Sequence, residues 1–176
     1  YSSSGLEDVT VGGLRLQLLE PLKTIRLSFT DRHLNFDLIW QGFHDVFDMR
    51  EAMGDLPEDV AKGHYEQSGT LKGRIVFGAR VIDVDGYAFR DHSWGGRNWE
   101  GVQRWKTAVG QFGAEFAYAA GEILLPNVDV SYLGLMYDGH KTTRIRQASV
   151  EVDSESRPAQ GRVTLEALDG KFTKIE

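Results

Sequence analysis

Hydrophobic and polar residues alternate with a period of two along much of the chain. Residues 34–40 are the clearest case, because apolar side chains there take every second position. Such alternation buries one face of a β-strand and leaves the other face in water. The pattern predicts ten strands, at residues 14–18, 24–30, 34–40, 70–77, 80–92, 104–112, 114–124, 128–137, 142–152 and 162–168.

The links between these predicted strands are short and rich in Gly, Pro and Asp, which are the residues that turns require. Regularly spaced short strands with such turns favour a sandwich or a barrel, and no segment has the pattern of an amphipathic helix. A closed antiparallel barrel of about eight to ten strands fits best, because closure removes exposed edges and leaves room for a small ligand. We therefore predict an all-β fold built as an antiparallel β-barrel.

Two segments depart from the strand pattern. Residues 1–13 are rich in Ser and Gly and predict a flexible lead-in, which leaves residues 14–176 as a single barrel domain without internal repeats. Residues 42–63 carry apolar side chains among many acids but show no strand period. Loops of this length in compact domains are usually functional or disordered. We interpret this one as a packed lid over the barrel mouth.

Composition excludes several classes of function. The chain has 176 residues, a net charge of −6 and no basic block, which argues against a nucleic-acid partner. It has no cysteine, so disulfides and thiolate zinc sites are excluded and a cytoplasmic location is favoured. We expect no membrane span, because no apolar run is long enough, and no signal peptide. The first residue is not Met, which suggests a processed product or a piece of a longer protein.

The candidate chemistry is concentrated in residues 87–99, where a predicted strand runs out into a Gly-Gly turn, and in residues 64–67. A hairpin closed at residues 78–79 would place Glu66 opposite Asp91, so both groups would meet at one barrel mouth. The candidate catalytic residues are Asp91, His92 and Glu66. The candidate substrate-binding residues are His64, Tyr65, Tyr87, Arg90, Trp94, Arg97 and Trp99.

Two carboxylates and two imidazoles would supply the groups for general acid–base catalysis. Whether Asp91 and His92 face one pocket stays open, because neighbours on a strand point to opposite faces unless the strand twists or bulges. The structural alternative is a hydrogen-bonded plug that closes the barrel, with Arg90 paired to an acid. The spacing of these residues matches no metal-binding pattern, and no glycine loop could hold a phosphate, so we predict neither metal nor cofactor.

The sequence His-Tyr-Glu-Gln at residues 64–67, followed by Gly-Tyr-Ala-Phe-Arg-Asp-His-Ser-Trp-Gly at residues 86–95, resembles a known signature. That signature, HYEQ … GYGxRDHSWGxRxW, belongs to a largely uncharacterised bacterial family in the carotenoid 1,2-hydratase (hydroxyneurosporene synthase)-like superfamily. The specific resemblance covers about residues 60–105. It implies a lipocalin- or calycin-like barrel that is the C-terminal half of a longer protein, with an N-terminal sister β-domain as its partner.

The resemblance also implies an apolar small-molecule ligand, such as an isoprenoid or a polyketide, and acid-catalysed hydration, dehydration or isomerisation. Asp91 would donate the proton with support from His92 or Arg90, and the indoles of Trp94 and Trp99 would stabilise a developing cation. One alternative is a non-catalytic carrier in which the Arg-Asp-His cluster is a structural plug. Another is a structural half-domain whose partner supplies the chemistry.

Overall fold

The computed structural model describes residues 7–49, 62–96, 98, 100, 102–126, 131–153 and 160–176. Apart from Met49, which is helical, the regular elements described within these residues are β-strands. No described helix is long and apolar enough to span a lipid bilayer. The described strands are β1 (Asp8–Val11), β2 (Leu14–Glu20), β3 (Thr24–Thr30), β4 (Leu34–Gly42), β5 (Phe47–Asp48), β6 (Gly63–Phe77), β7 (Arg80–Trp94), β8 (Arg104–Phe112), β9 (Phe116–Leu124), β10 (Ser131–Tyr137), β11 (Thr142–Asp153), β12 (Gln160–Ala167) and β13 (Phe172–Ile175).

The prediction of an all-β, antiparallel, lipocalin-like fold is confirmed, and each of the ten predicted strands overlaps an observed one. The lead-in predicted for residues 1–13 contains the strand β1, because Asp8–Val11 pairs with β2 and Asp8 binds Arg15. Residues 1–6 of that lead-in lie outside the described residues. The segment 42–63, predicted as a loop, contains the two-residue strand β5, and its residues 50–61 also lie outside the described part, together with the proposed lid.

The chain divides into two compact units. The first comprises residues 1–45 and 67–90, and the second comprises residues 46–66 and 91–176. The long strands β6 and β7 therefore contribute residues to both units. Each unit is built from antiparallel strands that are mostly joined to their sequence neighbours, as the short turns predict.

In the first unit, strands pair in the order β1-β2-β3-β4-β6-β7. The register aligns apolar residues across one face, as in the row formed by Ile25, Trp40 and Leu71. The opposite face carries cross-strand ion pairs such as Arg26–Asp37, whose guanidinium donates two hydrogen bonds to the carboxylate. One face is therefore apolar and the other charged, which is what alternation at period two produces in an antiparallel sheet.

In the second unit, six strands pair in the order β13-β12-β11-β10-β9-β8. Side chains from β9 to β12 form its apolar core. The buried members of this core are Tyr118, Ala120, Met136, Ile145, Ala148, Leu165 and Ala167. The same unit contains β5, the first four residues of β6 and the last four of β7, which carry the candidate site.

Candidate functional site

The hairpin of β6 and β7 positions the candidate side chains. Its turn is Gly78-Ala79, where Gly78 has a φ of 58°, so the strands meet at Phe77 and Arg80. Counting back equally from the turn pairs Glu66 with Asp91, each eleven residues from its strand end. The ion pair between Lys72 and Asp85 fits the same count. Two acids are thus placed opposite one another by the length of the hairpin.

Three ionisable side chains meet on one face of these strands. The Nε2 atom of His64 lies 3.4 Å from Oε1 of Glu66 and 3.1 Å from Oδ1 of Asp91. One ligand atom from each residue falls within 4.8 Å of the other two. The side chain of His64 is 6% exposed and that of Glu66 is 12% exposed, whereas that of Asp91 is 57% exposed. We call these three residues the His64 cluster: it has a buried base and a buried acid beneath an accessible acid.

The burial of His64 and Glu66 follows from the local fold. His64 and Glu66 are two residues apart on β6, so their side chains point to the same side. The short strand β5 pairs with this part of β6, and fully buried Phe47 stands opposite Glu66. The pairing places a buried side chain beside Glu66, whereas the side chain of Asp91 stays exposed.

The two carboxylates of the cluster share one neighbour, Nε2 of His64. Two like charges directly opposite on paired strands repel. Nε2 of His64 lies close to both carboxylates and, when protonated, can donate its proton to either one. The imidazole therefore reduces the repulsion between the two acids. The arrangement can therefore hold and move a proton.

An aromatic cluster occupies the other face of the same strands. The ring of Tyr65 stacks on that of His92, with centroids 5.2 Å apart and planes inclined by 22°. The indole of Trp94 contacts both rings: its centroid lies 6.1 Å from that of Tyr65 and 5.5 Å from that of His92. Trp94 also lies directly over the Cα of Gly63, where any Cβ would collide with the indole. We call Tyr65, His92 and Trp94 the aromatic cluster.

These contacts answer the question that the strand pattern left open. Asp91 lies beside His64, whereas its neighbour His92 stacks on Tyr65. Because β7 continues as a strand to Trp94, its side chains keep alternating and the two residues face opposite sides. The candidate catalytic set is therefore divided: Asp91 and Glu66 come together with His64, and His92 does not join them.

Other candidate residues lie in the first unit. The guanidinium of Arg90 lies 5.7 Å from the ring centroid of Trp40, and Nε1 of Trp40 donates a hydrogen bond to the carbonyl of Ala88. Tyr87 makes an edge-to-face contact with Phe43. Arg97 and Trp99 lie outside the described residues.

A buried polar network in the first unit was missed by the sequence analysis. Nε2 of His44 accepts a hydrogen bond from the backbone N–H of Ser68, so its neutral ring carries hydrogen on Nδ1 and donates to the carbonyl of Asp45. The side-chain amide of Gln67 donates to the carbonyls of His44 and Leu22. Burial lowers the pKa of His44, although the bond to Asp45 opposes this. The presence of Gln67 beside the His-Tyr-Glu motif was the only signal for this network.

The sequence model of one protein family, described as a domain of unknown function (DUF7064), matches residues 2–176. This chain belongs to the DUF7064 family. The match covers nearly the whole chain and so includes the His64 cluster and the aromatic cluster. Among curated proteins, no sequence matches significantly.

A solved structure is similar to the DUF7064 chain in fold. It is the crystal structure, at 2.00 Å resolution, of a candidate AttH from Nitrosomonas europaea, with a TM-score of 0.60 and 14% sequence identity. The similarity covers 97% of this chain and 68% of the other chain. At this identity the likeness concerns the fold alone, and it supports the lipocalin-like, all-β assignment.

Proposed function

We propose that the His64 cluster is an acid–base centre that acts on an apolar small molecule, such as an isoprenoid or a polyketide. The reaction class is hydration, dehydration or isomerisation through a protonated intermediate. One observation carries the proposal: a single imidazole nitrogen lies within hydrogen-bonding reach of an exposed carboxyl and close to a buried one. Acid–base catalysis needs an accessible proton donor that neighbouring groups can reprotonate.

The three residues take different roles. Asp91 is the exposed member, so it meets the substrate and donates a proton to an alkene carbon, which leaves a carboxylate and a carbocation. In hydration, water then adds to the cation and the proton it releases returns to Asp91. His64 passes protons to Asp91 and orients it, and Glu66 holds His64 from the buried side. The carboxylate formed on Asp91 also stabilises the adjacent positive charge.

The aromatic residues have a different place in this proposal than the sequence suggested. Trp94 contacts His92 and Tyr65 on the face opposite Asp91, so its indole does not meet a cation formed beside that carboxyl. His92 likewise does not assist Asp91 directly. We assign the aromatic cluster to packing of the strand ends that carry the acid–base residues.

Deuterium transfer tests the proposal without a known product. The protein is incubated in D2O with a panel of isoprenoid and polyketide alkenes, and mass spectrometry follows deuterium incorporation and addition of D2O. We expect turnover by the wild-type protein and a fall of about 10²-fold or more in Asp91→Asn. Asp85→Asn is the matched control, because Asp85 is another exposed acid on β7, paired with Lys72 away from the cluster.

Three outcomes would reject the acid–base role: no transfer to any alkene, equal transfer by Asp91→Asn, or equal losses in both variants. Alkene binding without deuterium transfer would instead support the alternative function, a non-catalytic carrier of a hydrophobic ligand. The proposal retains two expectations from the sequence, an N-terminal sister β-domain as partner and a cytoplasmic location. Both are separate from the chemistry of the cluster.

A further inference from the structure

We propose that His64, Glu66 and Asp91 bind a divalent transition-metal cation of the Zn²⁺ or Mn²⁺ type. The three residues offer one imidazole nitrogen and two carboxylate oxygens on one face of paired strands. The inference does not depend on the proposed acid–base function, since it requires only these ligands. It replaces the sequence-based expectation of no metal, which considered ligand spacing along the chain alone.

Distances between the ligand atoms fit a metal centre. Ligands about 2.0–2.2 Å from a cation are separated from their neighbours by about 2.8–3.1 Å in octahedral geometry and by about 3.3–3.6 Å in tetrahedral geometry. The nitrogen of His64 already lies 3.1 Å from the Asp91 oxygen and 3.4 Å from the Glu66 oxygen. The two carboxylates must then approach each other across a gap of no more than 4.8 Å. Asp91 is exposed and can make this adjustment by rotating its side chain.

Charge and burial also favour binding of a cation between these three residues. Glu66 and Asp91 face each other across the hairpin, and a divalent cation would neutralise both carboxylates when they are ionised. Basic residues further along β6 are engaged elsewhere, since Lys72 pairs with Asp85 and Arg74 with Asp83. His64 and Glu66 are held by burial, so two of the three ligands are fixed before a cation arrives. Preorganised ligands lose less entropy on binding.

The ligand types indicate the class of metal. Imidazole suits Zn²⁺, Mn²⁺ and other transition metals, whereas Mg²⁺ prefers an all-oxygen site that keeps several waters. Three protein ligands leave a coordination position open for water or substrate. A bound cation requires Asp91 to be ionised, so it would remove the proton that the acid–base proposal assigns to this residue. Metal binding and proton donation would therefore compete.

Isothermal titration calorimetry with Zn²⁺ tests the site, with Mg²⁺ as the metal that should give no response. We expect one Zn²⁺ per chain in the wild type. Asp91→Asn should weaken the affinity at least about tenfold by removing a ligand, and Glu66→Gln should do the same. Asp85→Asn should bind as the wild type does. Titration with Co²⁺ should give visible absorption bands that Asp91→Asn changes in position or intensity.

The outcomes separate this site from binding at other surface histidines. No binding, or Zn²⁺ affinity unchanged in Asp91→Asn, would overturn the proposal. Equal weakening in Asp85→Asn and Asp91→Asn would do the same, because it would indicate a general effect of surface charge. Asp91 is exposed, so its variant keeps the test decisive even where Glu66→Gln fails to fold. Circular dichroism of each variant checks the fold.

Discussion

Asp91 and His92 are neighbours in the chain, but their side chains lie on opposite faces of β7. The carboxylate of Asp91 is 3.1 Å from His64, and the ring of His92 stacks on Tyr65. The continuous strand geometry to Trp94 thus separates a polar cluster from an aromatic cluster within a few residues. Any chemistry of this stretch must be assigned to one face at a time.

The stability of Asp91→Asn depends on which partner Asp91 has. The plug hypothesis paired a buried Arg90 with an acid, and breaking such a pair would cost about 3–5 kcal/mol. The Asp91 carboxyl is exposed and lies beside His64, and the Arg90 guanidinium lies over the ring of Trp40. We therefore expect Asp91→Asn to change the free energy of unfolding by less than about 1 kcal/mol. Urea denaturation measures the free energy of unfolding, and a loss of several kcal/mol would support the plug hypothesis.

The buried acid of the cluster should behave differently. Glu66 is buried on the strand that pairs with β5, and its Oε1 lies 3.4 Å from Nε2 of His64. Glu66→Gln keeps the shape but replaces one acceptor oxygen by a donor NH2 group, so a buried polar interaction is removed. We expect a cost of about 1–3 kcal/mol by urea denaturation, larger than that of Asp91→Asn. If Asp91→Asn lost more stability than Glu66→Gln, Asp91 and not Glu66 would be the buried acid of the cluster.

Much of the fold could be predicted because burial of one sheet face leaves a period-two pattern. Leu34–Gly42 shows it clearly and forms β4. The missed strands are the short ones, β1, β5 and β13. Of these, Asp8–Val11 is mostly exposed, so backbone pairing and the Arg15–Asp8 ion pair define it more than burial does. Two residues, as in β5, are too few to show a period.

The site could be predicted in part. The approach of Glu66 to Asp91 follows from counting back from the turn at residues 78–79. The partnership of His64 with Asp91 does not, because it is a diagonal contact that depends on side-chain direction. The face taken by His92 depended on whether β7 twists or bulges, and the residue types alone do not decide that. Contacts of Tyr87 and Arg90 belong to the other compact unit, whose boundary leaves no pattern in the sequence.

His44 should make stability sensitive to mild acid. Burial lowers its pKa in the folded state below the usual value, and its Nε2 accepts the N–H of Ser68 only while the ring is neutral. The unfolded chain therefore binds a proton more readily, so stability is full above about pH 6.5 and falls as the pH drops towards the folded pKa. The free energy of unfolding, measured by urea titration from pH 7.5 to 5, should decrease over this range.

His44→Gln provides the control for that pH dependence. Glutamine offers an acceptor near the Ser68 N–H but does not titrate, so the variant should be less stable at pH 7.5 and show a shallower fall on acidification. His140 lies in an exposed turn, and His140→Gln should leave the slope of the wild type unchanged. If His44→Gln keeps the full wild-type slope, another group is responsible for the acid sensitivity.

Asp138 and Asp169 bind reciprocally across two turns of the second unit. Lys171 pairs with Asp138 and Lys141 pairs with Asp169. The backbone N–H of Lys141 and then the Lys171 ammonium lower the pKa of Asp138 to about 2. Its stabilising effect is therefore present above the unfolded value near 3.8 and is lost as the pH falls through about 2. A carboxyl-detected NMR titration should give this midpoint.

Substitution of Lys171 separates the two causes of that lowered pKa. In Lys171→Met the ammonium is absent, but the backbone hydrogen bond from Lys141, the larger cause, remains. The pKa of Asp138 should rise yet stay below 3.8. Asp138→Asn should be less stable than the wild type above about pH 4, and this difference should shrink as the pH falls to about 2. A midpoint in Lys171→Met equal to the usual value would show that the turn itself contributes nothing.

Gly63 is the position where the aromatic cluster meets the backbone. A Cβ at Gly63 would collide with the indole of Trp94, which is half-exposed and can swing away. Gly63→Ala should therefore cost about 1 kcal/mol, which is what the packing of the indole on Tyr65 and His92 contributes. Gly73→Ala should cost more, about 2–3 kcal/mol, because its φ of 148° and the Asp37 backbone oxygen leave nothing that can move cheaply. In a double-mutant cycle the penalty of Gly63→Ala should vanish in a Trp94→Ala background, while that of Gly73→Ala should persist. An unchanged penalty at Gly63 without the indole would mean that the backbone, and not Trp94, requires glycine there.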